Sequence, residues 1–314
     1  MGTIRVQSPG LLSSIQDLGR PGRSAIGVPV GGAADPLSLR VGNRLLGNPD
    51  DTAAIEMTMV GGTFVFDDPA AICIVGDAPH CMLDGRPAPT NTPLEVSPGT
   101  TVSIGPITRG VRAYLCIMGG IDVPVVLGSR STHLSGGFGG LEGRALRAGD
   151  RLAFAPTLPH TTRALPDALR HLIAAPPLTI ILRAVPIGPI HEQFWSASRT
   201  VSSQSNRAGT RLSCSADPSQ RGSVAFARMI TEGMPPGAIQ LPPGGEPIIL
   251  GPDHPTTGGY PILGCVASVD FHLVGRLRPG DTVRLQRITQ REALAALRDR
   301  EHSLNAALPP VPPR

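Results

Sequence analysis

Proton-handling side chains are concentrated in one short stretch of the chain, residues 251–261, with the sequence GPDHPTTGGYP. A carboxylate, an imidazole, two hydroxyls and a phenol are supplied there by Asp253, His254, Thr256, Thr257 and Tyr260. Two adjacent glycines let the backbone approach another group closely. We therefore predict that this stretch is the centre of a functional site. The alternative is a tight connection in which the aspartate and the threonines bond only to their own backbone.

The segment 8–36 is a second candidate, because it is long and polar and is punctuated by glycine and proline. Connections of more than about 15 residues inside compact domains commonly bind ligands. This one carries Gln16, Asp17 and Arg20 near its middle. The alternative is an exposed loop with a local ion pair between Asp17 and Arg20.

A third segment, 128–144, places Arg130, Ser131 and Thr132 between several glycines. Arginine and hydroxyl groups beside a glycine-rich backbone suit an anion such as a carboxylate or a phosphate. The segment is not a dinucleotide site, because the GxGxxG spacing and the helix that should follow it are missing.

Two further segments carry candidate polar side chains. Residues 202–215 contain several, and residues 229–245 contain the side-chain amide of Gln240. Pairs of arginine guanidinium groups suit carboxylates and phosphates. The alternative is a set of arginines on a solvated rim. The residues that we predict to bind substrate or an anion here are Asn206, Arg207, Arg211 and Gln240.

Composition excludes several classes of chemistry. All 28 basic residues are arginine, so a Schiff-base lysine, a P-loop lysine and a biotinyl-lysine are absent from this chain. The net charge of +4 is spread without a basic run and aromatic residues make up 3%, so we do not predict nucleic-acid binding. The five cysteines form no CxxC pair, and no spacing matches a metal site. We expect no metal and reduced core cysteines.

No stretch approaches the roughly 20 apolar residues that a transmembrane helix needs. The first residues, MGTIRVQSPG, lack the apolar core of a secretory signal. We therefore expect a cytoplasmic protein that does not enter a membrane.

Glycine (38 residues) and proline (34 residues) punctuate short apolar runs, which is typical of many strands and turns. We predict a mainly β protein with an Asp35-capped helix over 36–46, hairpins around Asp84-Gly85 and between the PLEV and TTVSI runs, and a C-terminal helix. Thr289 and Glu292 form a capping box for that last helix, and Leu294, Leu297, Leu304 and Leu308 form one apolar stripe. Glu56, inside an apolar run, is interpreted as facing solvent.

The two halves of the chain resemble each other. Residues 62–77 and 237–253 share a strand, turn, strand, glycine and aspartate in that order, and each is followed by a Pro-Gly turn before an alternating strand. We infer an internal duplication and predict domains at 1–165 and 176–288, with a terminal helix at 289–308. The first copy lacks the threonines, paired glycines and tyrosine that follow Asp253, which favours a special role for the second copy.

Several motifs together resemble one family. They are IQDLGRPG, PVGGAADPLSLRVGNRLLGN, GGIDVPVVLGSRST with GGFGG, NRAGTRL, EGMPPGAIQLPPGGEPIIL and DHPTTGGYP. Over about residues 4–288 the chain is similar to the biotin-dependent carboxyltransferase family, also called allophanate hydrolase subunit 2, whose members include the C-type subunit of 5-oxoprolinase. The chain departs from the family at DHP, where DRQ is usual, and at IHEQF, where a Gln-x-Asp-x-Phe is common.

The resemblance implies two cyclophilin-like β-barrel domains and a smaller cyclophilin-like partner subunit, of the 5-oxoprolinase B type or kinase-inhibitor type, with a third subunit. The leading hypothesis is one subunit of an ATP-dependent amidohydrolase that converts 5-oxoproline, ATP and water to glutamate, with ATP bound here or on a partner. Arg130, Arg207 and Arg211 would then hold a carboxylate or phosphate, while Asp253 and His254 move protons.

Two alternatives stay open. In the first, the chain transfers a carboxyl group from biotin, carried on another protein, to a urea-like amide, and Asp253 or Tyr260 assists proton transfer at the biotin nitrogen. In the second, the chain is a non-catalytic regulator that binds a kinase-inhibitor protein through its loops and terminal helix.

Overall fold

The structure is a computed structural model that describes residues 1–155, 162–187, 192–213 and 230–311. These residues are mostly strands and turns, which confirms the prediction of a mainly β protein with few helices. The chain divides into two compact units. The first unit comprises Met1–Arg20, Gly31–Ala175 and Ser303–Arg314, and the second comprises Pro21–Val30 and Pro176–His302. The domain limits 1–165, 176–288 and 289–308 stay predictions.

Two antiparallel sheets form the first unit. The larger sheet contains β1 (Gly2–Ser8), β4 (Thr63–Phe66), β6 (Cys81–Leu83), β7 (Arg86–Pro87), β9 (Thr101–Ile104), β11 (Ile121–Asp122) and β12 (Arg151–Phe154), in the order β11-β12-β1-β4-β9-β6-β7. The smaller sheet contains β2 (Leu12–Gln16), β3 (Ala54–Thr58), β5 (Ala70–Gly76), β8 (Pro93–Val96) and β10 (Arg112–Ile117), in the order β2-β3-β10-β5-β8. Apolar side chains of both sheets form one buried core, so the sheets pack face to face.

A helix, α1 (Pro36–Leu45), covers the other face of the smaller sheet. Asp35 caps it as predicted, because its carboxylate accepts a hydrogen bond from the Ser38 backbone N–H at 3.0 Å. Leu39 and Leu45 of this helix are fully buried against the sheet. A short helix, α2 (Arg170–Ile173), lies near the end of this unit.

The second unit contains a closed barrel. Its strands are β13 (Thr179–Pro186), β14 (Ser198–Val201), β15 (Gly209–Ser213), β17 (Ala238–Gln240), β18 (Ile248–Leu250), β20 (Ile262–Val266) and β21 (Thr282–Arg287), in the order β13-β20-β17-β18-β15-β14-β21. The barrel closes through a parallel pairing of β13 with β21, and its other pairs are antiparallel. Accessory elements of this part of the chain are β16 (Glu232–Gly233), β19 (Thr257–Gly258), α3 (Glu192–Ser196), α4 (Phe271–Val274) and α5 (Gln290–Ala307).

Strand pairing differs from the sequence prediction in two places. β8 and β9 do not form the predicted hairpin, because β8 pairs with β5 in the smaller sheet and β9 pairs with β4 and β6 in the larger one. The two segments that resemble each other in sequence, 62–77 and 237–253, also differ in strand pairing. In the first, β4 and β5 lie in different sheets, whereas in the second β17 and β18 pair with each other. The internal duplication stays a prediction. The turn at Asp84-Gly85 is confirmed, since it joins β6 to β7.

The C-terminal helix begins as predicted. Thr289 and Glu292 bond reciprocally, with the Thr289 backbone N–H at 2.7 Å from the glutamate and the Glu292 backbone N–H at 3.2 Å from the threonine hydroxyl. The apolar stripe is only partly buried: Leu304 and Leu308 lie in the core of the first unit, whereas Leu294 is 44% exposed. Among the described residues, no helix has the length and apolar character to cross a membrane.

Four of the cysteines lie in the described parts of the chain, and none of the four forms a disulfide. Cys73, Cys81 and Cys116 are buried as predicted, and Cys265 is half-buried. Burial raises the pKa of Cys81 to about 11, so its thiol stays protonated. Cys214 lies outside the described residues.

Candidate functional site

Asp17 organises one cluster of the predicted residues, in the first unit. One carboxylate oxygen accepts hydrogen bonds from the Ser129 hydroxyl at 2.6 Å and from the Gly19 backbone N–H at 2.7 Å, and the other accepts one from the Arg130 backbone N–H at 2.5 Å. The side chain is 6% exposed. Asp17 therefore joins the segment after β2 to the segment 128–144, which are far apart in the sequence.

Arg20 is 1% exposed and Asp17 is 6% exposed, so these two residues do not form an exposed ion pair, although residues 21–27 of the same segment are exposed. The segment contains β2, and Arg20, which comes shortly after that strand, has a buried side chain. Its guanidinium donates to the Ser131 backbone carbonyl at 2.5 Å and lies 5.0 Å from the centre of the Phe138 ring. The Nη2 atom is thus bound to the chain's own backbone, and the binding of a substrate anion by Arg20 stays a prediction.

We define the first-unit cluster as the six predicted residues gathered here: Gln16, Asp17, Arg20, Arg130, Ser131 and Thr132. The buried atoms of this cluster that make no hydrogen bond among the described residues include Gln16 Oε1, Thr132 Oγ1 and Arg130 Nε. They are an acceptor, a hydroxyl and a donor, and the amide nitrogen of Gln16 is bound 3.2 Å from the Thr132 carbonyl. Buried polar atoms of this kind are normally satisfied by water or by a ligand.

The glycine-rich segment 136–140 packs on this cluster and is not an open cradle for a phosphate. A Cβ on Gly139 would overlap the Ser131 carbonyl oxygen, and one on Gly140 would overlap the Thr132 hydroxyl. Both glycines have positive φ angles, +71° and +54°. Their missing side chains are therefore required by close packing against the protein itself. The prediction that this segment suits a phosphate does not fit this packing.

Replacing Gly140 with alanine is expected to destabilise the first unit by about 2–4 kcal/mol, because strain at positive φ adds to steric overlap. Gly137 is the matched control, since it has φ +65° and open space around the missing Cβ. Gly137→Ala should cost only about 1–2 kcal/mol. Urea denaturation followed by circular dichroism measures both variants. Equal losses would show that the contact with Thr132 is unimportant.

Arg207 and Asp253 form a buried ion pair in the second unit. Arg207 Nε and Nη2 lie 2.7 and 3.1 Å from the two carboxylate oxygens, and each side chain is 7% exposed. The backbone is joined at the same place, since the Asp253 N–H donates to the Arg207 carbonyl at 3.2 Å. The pair therefore holds the loop 251–261 against the turn that precedes β15.

His254 is 2% exposed and lies beside this pair. Its Nδ1 is 2.7 Å from the Pro255 carbonyl oxygen, so Nδ1 carries the proton and Nε2 is left as the acceptor nitrogen. Burial lowers the pKa of His254 below its usual 6.5, although the Pro255 carbonyl and the Asp253 charge oppose this effect. The imidazole is neutral at pH 7 and can accept a proton.

The lowered pKa of His254 predicts a pH-dependent stability. The unfolded chain takes up a proton on this imidazole near pH 6.5, whereas the folded chain does so only at lower pH. The free energy of unfolding should therefore fall as the pH is lowered from 6.5 to the folded pKa, by up to about 1.4 kcal/mol per pH unit. Urea denaturation between pH 5 and 8 measures this slope, and His254→Gln should reduce it. An unchanged slope in the variant would contradict the assignment.

The remaining predicted residues of this unit differ in exposure. Thr256 and Gln240 are both 8% exposed, and the Gln240 amide nitrogen lies 3.1 Å from the Met234 sulfur. Thr257 belongs to β19, which pairs with β16. Tyr260 is 47% exposed.

Asn206 and Arg211 are both exposed. The Asn206 side-chain oxygen accepts the Ala208 backbone N–H at 2.8 Å, which shapes the turn before β15. The sequence motif IHEQF lies partly outside the described residues.

Sequence reasoning missed a buried network around Glu56, which is 1% exposed and does not face solvent. Its carboxylate accepts hydrogen bonds from the Tyr114 hydroxyl at 2.7 Å, the Ala34 backbone N–H at 2.8 Å and Arg112 Nε at 3.2 Å. Burial and the Glu56 charge raise the pKa of Tyr114 well above 10, so the phenol stays protonated. The Tyr114 oxygen in turn accepts the Asp35 backbone N–H at 2.9 Å.

This network supports the first-unit cluster, because the Ala33 backbone N–H, next to Ala34, donates to the Asp17 carbonyl at 2.8 Å. Ser129 was also missed, although it lies in the GSRST motif beside the residues that were singled out. Its hydroxyl group could have indicated its role, because a buried carboxylate such as that of Asp17 needs hydrogen-bond donors.

The chain is similar to known proteins over most of its length. Residues 26–287 match the carboxyltransferase domain family, subdomain A and B. The chain is 32% identical over 309 residues to the C-type subunit of 5-oxoprolinase from Escherichia coli, a match that covers 95% of each chain. It is 38% identical over 306 residues to urea amidolyase of Saccharomyces cerevisiae, covering 90% of this chain and 16% of that protein.

A solved structure shares this architecture. The crystal structure of the Kluyveromyces lactis urea amidolyase superposes on 97% of this chain with a TM-score of 0.89 and 31% identity, and this chain spans 20% of that one. The family match covers most of the chain, and the fold agrees with it over nearly the whole length. The chain therefore belongs to the carboxyltransferase domain family, subdomain A and B.

Proposed function

We propose that this protein works as the C-type subunit of an ATP-dependent 5-oxoprolinase, in which the lactam of 5-oxoproline is opened by water at the expense of ATP. The observation that carries the proposal is the match to the C-type 5-oxoprolinase subunit over 95% of both chains. Nearly the whole length of that relative has a counterpart here. Urea amidolyase is matched over only 16% of its length, so its whole activity would need regions without a counterpart in this chain.

The first-unit cluster complements the amide group of such a substrate. A lactam presents an N–H donor beside a C=O acceptor. Gln16 Oε1 can accept the N–H, while Arg130 Nε and the Thr132 hydroxyl can donate to the carbonyl oxygen, and none of these three buried atoms makes a hydrogen bond within the described residues. Donation to that oxygen would stabilise the charge that develops when water attacks. We therefore propose that the cluster binds an amide, in place of the anion predicted from sequence.

The loop 251–261 carries the predicted residues of the second unit. Because Arg207 occupies both oxygens of Asp253, we assign these two residues to holding the loop. His254 is the proposed proton acceptor, since its imidazole is neutral and its Nδ1 is fixed by the Pro255 carbonyl. Thr256, Thr257 and Tyr260 remain proposed substrate contacts.

ATP is proposed to bind on another subunit. The chain contains no lysine, and the glycines at 139 and 140 are packed against protein atoms, so the segment 136–140 does not form a P-loop. The proposed partners are a smaller cyclophilin-like subunit and a third subunit, in the cytoplasm.

Co-expression of the chain with these two partners tests the proposal. ATP hydrolysis is measured with 5-oxoproline, urea and allophanate as separate substrates. We expect hydrolysis to depend on 5-oxoproline and to yield glutamate. Hydrolysis that responds to urea or allophanate and not to 5-oxoproline would refute the proposal.

A second candidate function is carboxyl transfer from biotin to a urea-like amide. The family description and the TM-score of 0.89 to urea amidolyase favour it. The ureido group of biotin also carries adjacent N–H and C=O groups, so the orphaned atoms of the first-unit cluster fit it as well. Because the chain has no lysine, the biotin would be carried by another protein. Purification of the complex with a biotinylated protein, detected with streptavidin, would support this candidate.

A further inference from the structure

A groove lies on the outside of the barrel in the second unit, beside α3. Its volume is about 470 Å³, within the range of small-molecule sites. None of the predicted site residues lines it. The lining residues that matter here are Ile181, Glu192, Trp195, Arg284, Leu285 and Arg287.

The charged groups of the groove favour an anion. Arg284 is exposed on the outer side of β21, because the alternate residues Val283 and Leu285 face the barrel interior. No ion pair reaches its guanidinium from the described residues. Arg287 lies 3.1 Å from Glu192, so the lining carries two positive charges and one negative charge.

The apolar groups of the groove favour a ligand with a hydrophobic body. Ile181 is 52% exposed and gives the groove an apolar wall. Trp195 is 3% exposed and packs edge-on against Phe194 at 5.2 Å. Its buried indole N–H has no acceptor in the parts of the chain that the structure describes. An unsatisfied buried donor is unfavourable, and an incoming oxygen would satisfy it.

We propose that this groove binds a small organic carboxylate with an apolar body. The carboxylate accepts hydrogen bonds from Arg284 and from the Trp195 indole, and the apolar body covers Ile181. Binding is non-covalent and does not depend on the amidohydrolase proposal, because no groove residue belongs to the proposed site.

The single tryptophan of the chain allows a direct test. The ¹⁵N-labelled full-length protein gives one indole N–H resonance, which is followed while benzoate or benzamide is added. The two probes differ mainly in charge. We expect benzoate to move the resonance downfield and to saturate, and benzamide to bind at least about tenfold more weakly.

Two arginine variants complete the test. Arg284→Gln should weaken benzoate binding about tenfold or more, while leaving the resonance of the free protein in place. Arg298→Gln, an exposed arginine of α5 outside the groove, should leave the affinity unchanged. An immobile resonance, equal binding of the two probes, or equal effects of the two variants would overturn the proposal.

Discussion

Asp253→Ala is expected to lower the free energy of unfolding of the second unit by about 3–5 kcal/mol, because it leaves the Arg207 charge buried without its carboxylate. The loop 251–261 should also lose its position, since the same pair holds it in place. We expect the activity of the assembled complex, per folded molecule, to fall at least about 100-fold. Denaturation followed by the fluorescence of Trp195, which lies in this unit, measures the stability, and steady-state kinetics measure the activity.

Asp270 provides a matched control for this variant. It also receives a bidentate arginine, with Arg183 Nε and Nη2 at 2.9 and 2.6 Å, but it lies outside the loop. Asp270→Ala should destabilise the unit while the folded fraction keeps its activity. If Asp253→Ala retained full activity per folded molecule, its proposed role in positioning the loop would be wrong.

Glu56→Ala is expected to destabilise the first unit by about 3–5 kcal/mol. The change removes the acceptor of Tyr114, Ala34 and Arg112 in a site that is 1% exposed. Hydrogen exchange of peptides covering β3 and β10 should show faster exchange there, because these strands carry the network. Exchange should also rise in the segment that bears Asp17, which the network supports through Ala33.

Glu95 is the control for the Glu56 variant. It lies on β8 in the same sheet, and it is exposed. Glu95→Ala should change the stability by less than about 0.5 kcal/mol. Similar losses for the two variants would mean that the buried network contributes little.

Local signals of the sequence predicted local structure well. The Asp35 cap, the Thr289 capping box and the Asp84-Gly85 turn depend on residues only a few positions apart, and each forms as predicted. Long-range pairing was not predictable in the same way. The PLEV and TTVSI runs are strands, but their partners lie in two different sheets, and a short turn signal carries no information about such partners.

The burial of polar residues was the hardest feature to predict. Glu56 faces the interior because Tyr114, Ala34 and Arg112 meet it there, and these partners are 22 to 58 positions away. Arg20 is buried because a backbone carbonyl 111 positions away accepts its hydrogen bond. From the sequence alone, we predict that Arg20 and Arg207 bind an anion. In the structure, both side chains bond to segments that are distant in the sequence and hold them together.

The most direct test of the proposed function is a subunit-omission experiment. The smaller cyclophilin-like subunit and the third subunit are purified with and without this chain, and glutamate release from 5-oxoproline is measured in the presence of ATP. We predict that glutamate forms only when this chain is present, with one ADP for each glutamate. Full glutamate release without the chain would contradict the proposal that it is a subunit of the enzyme.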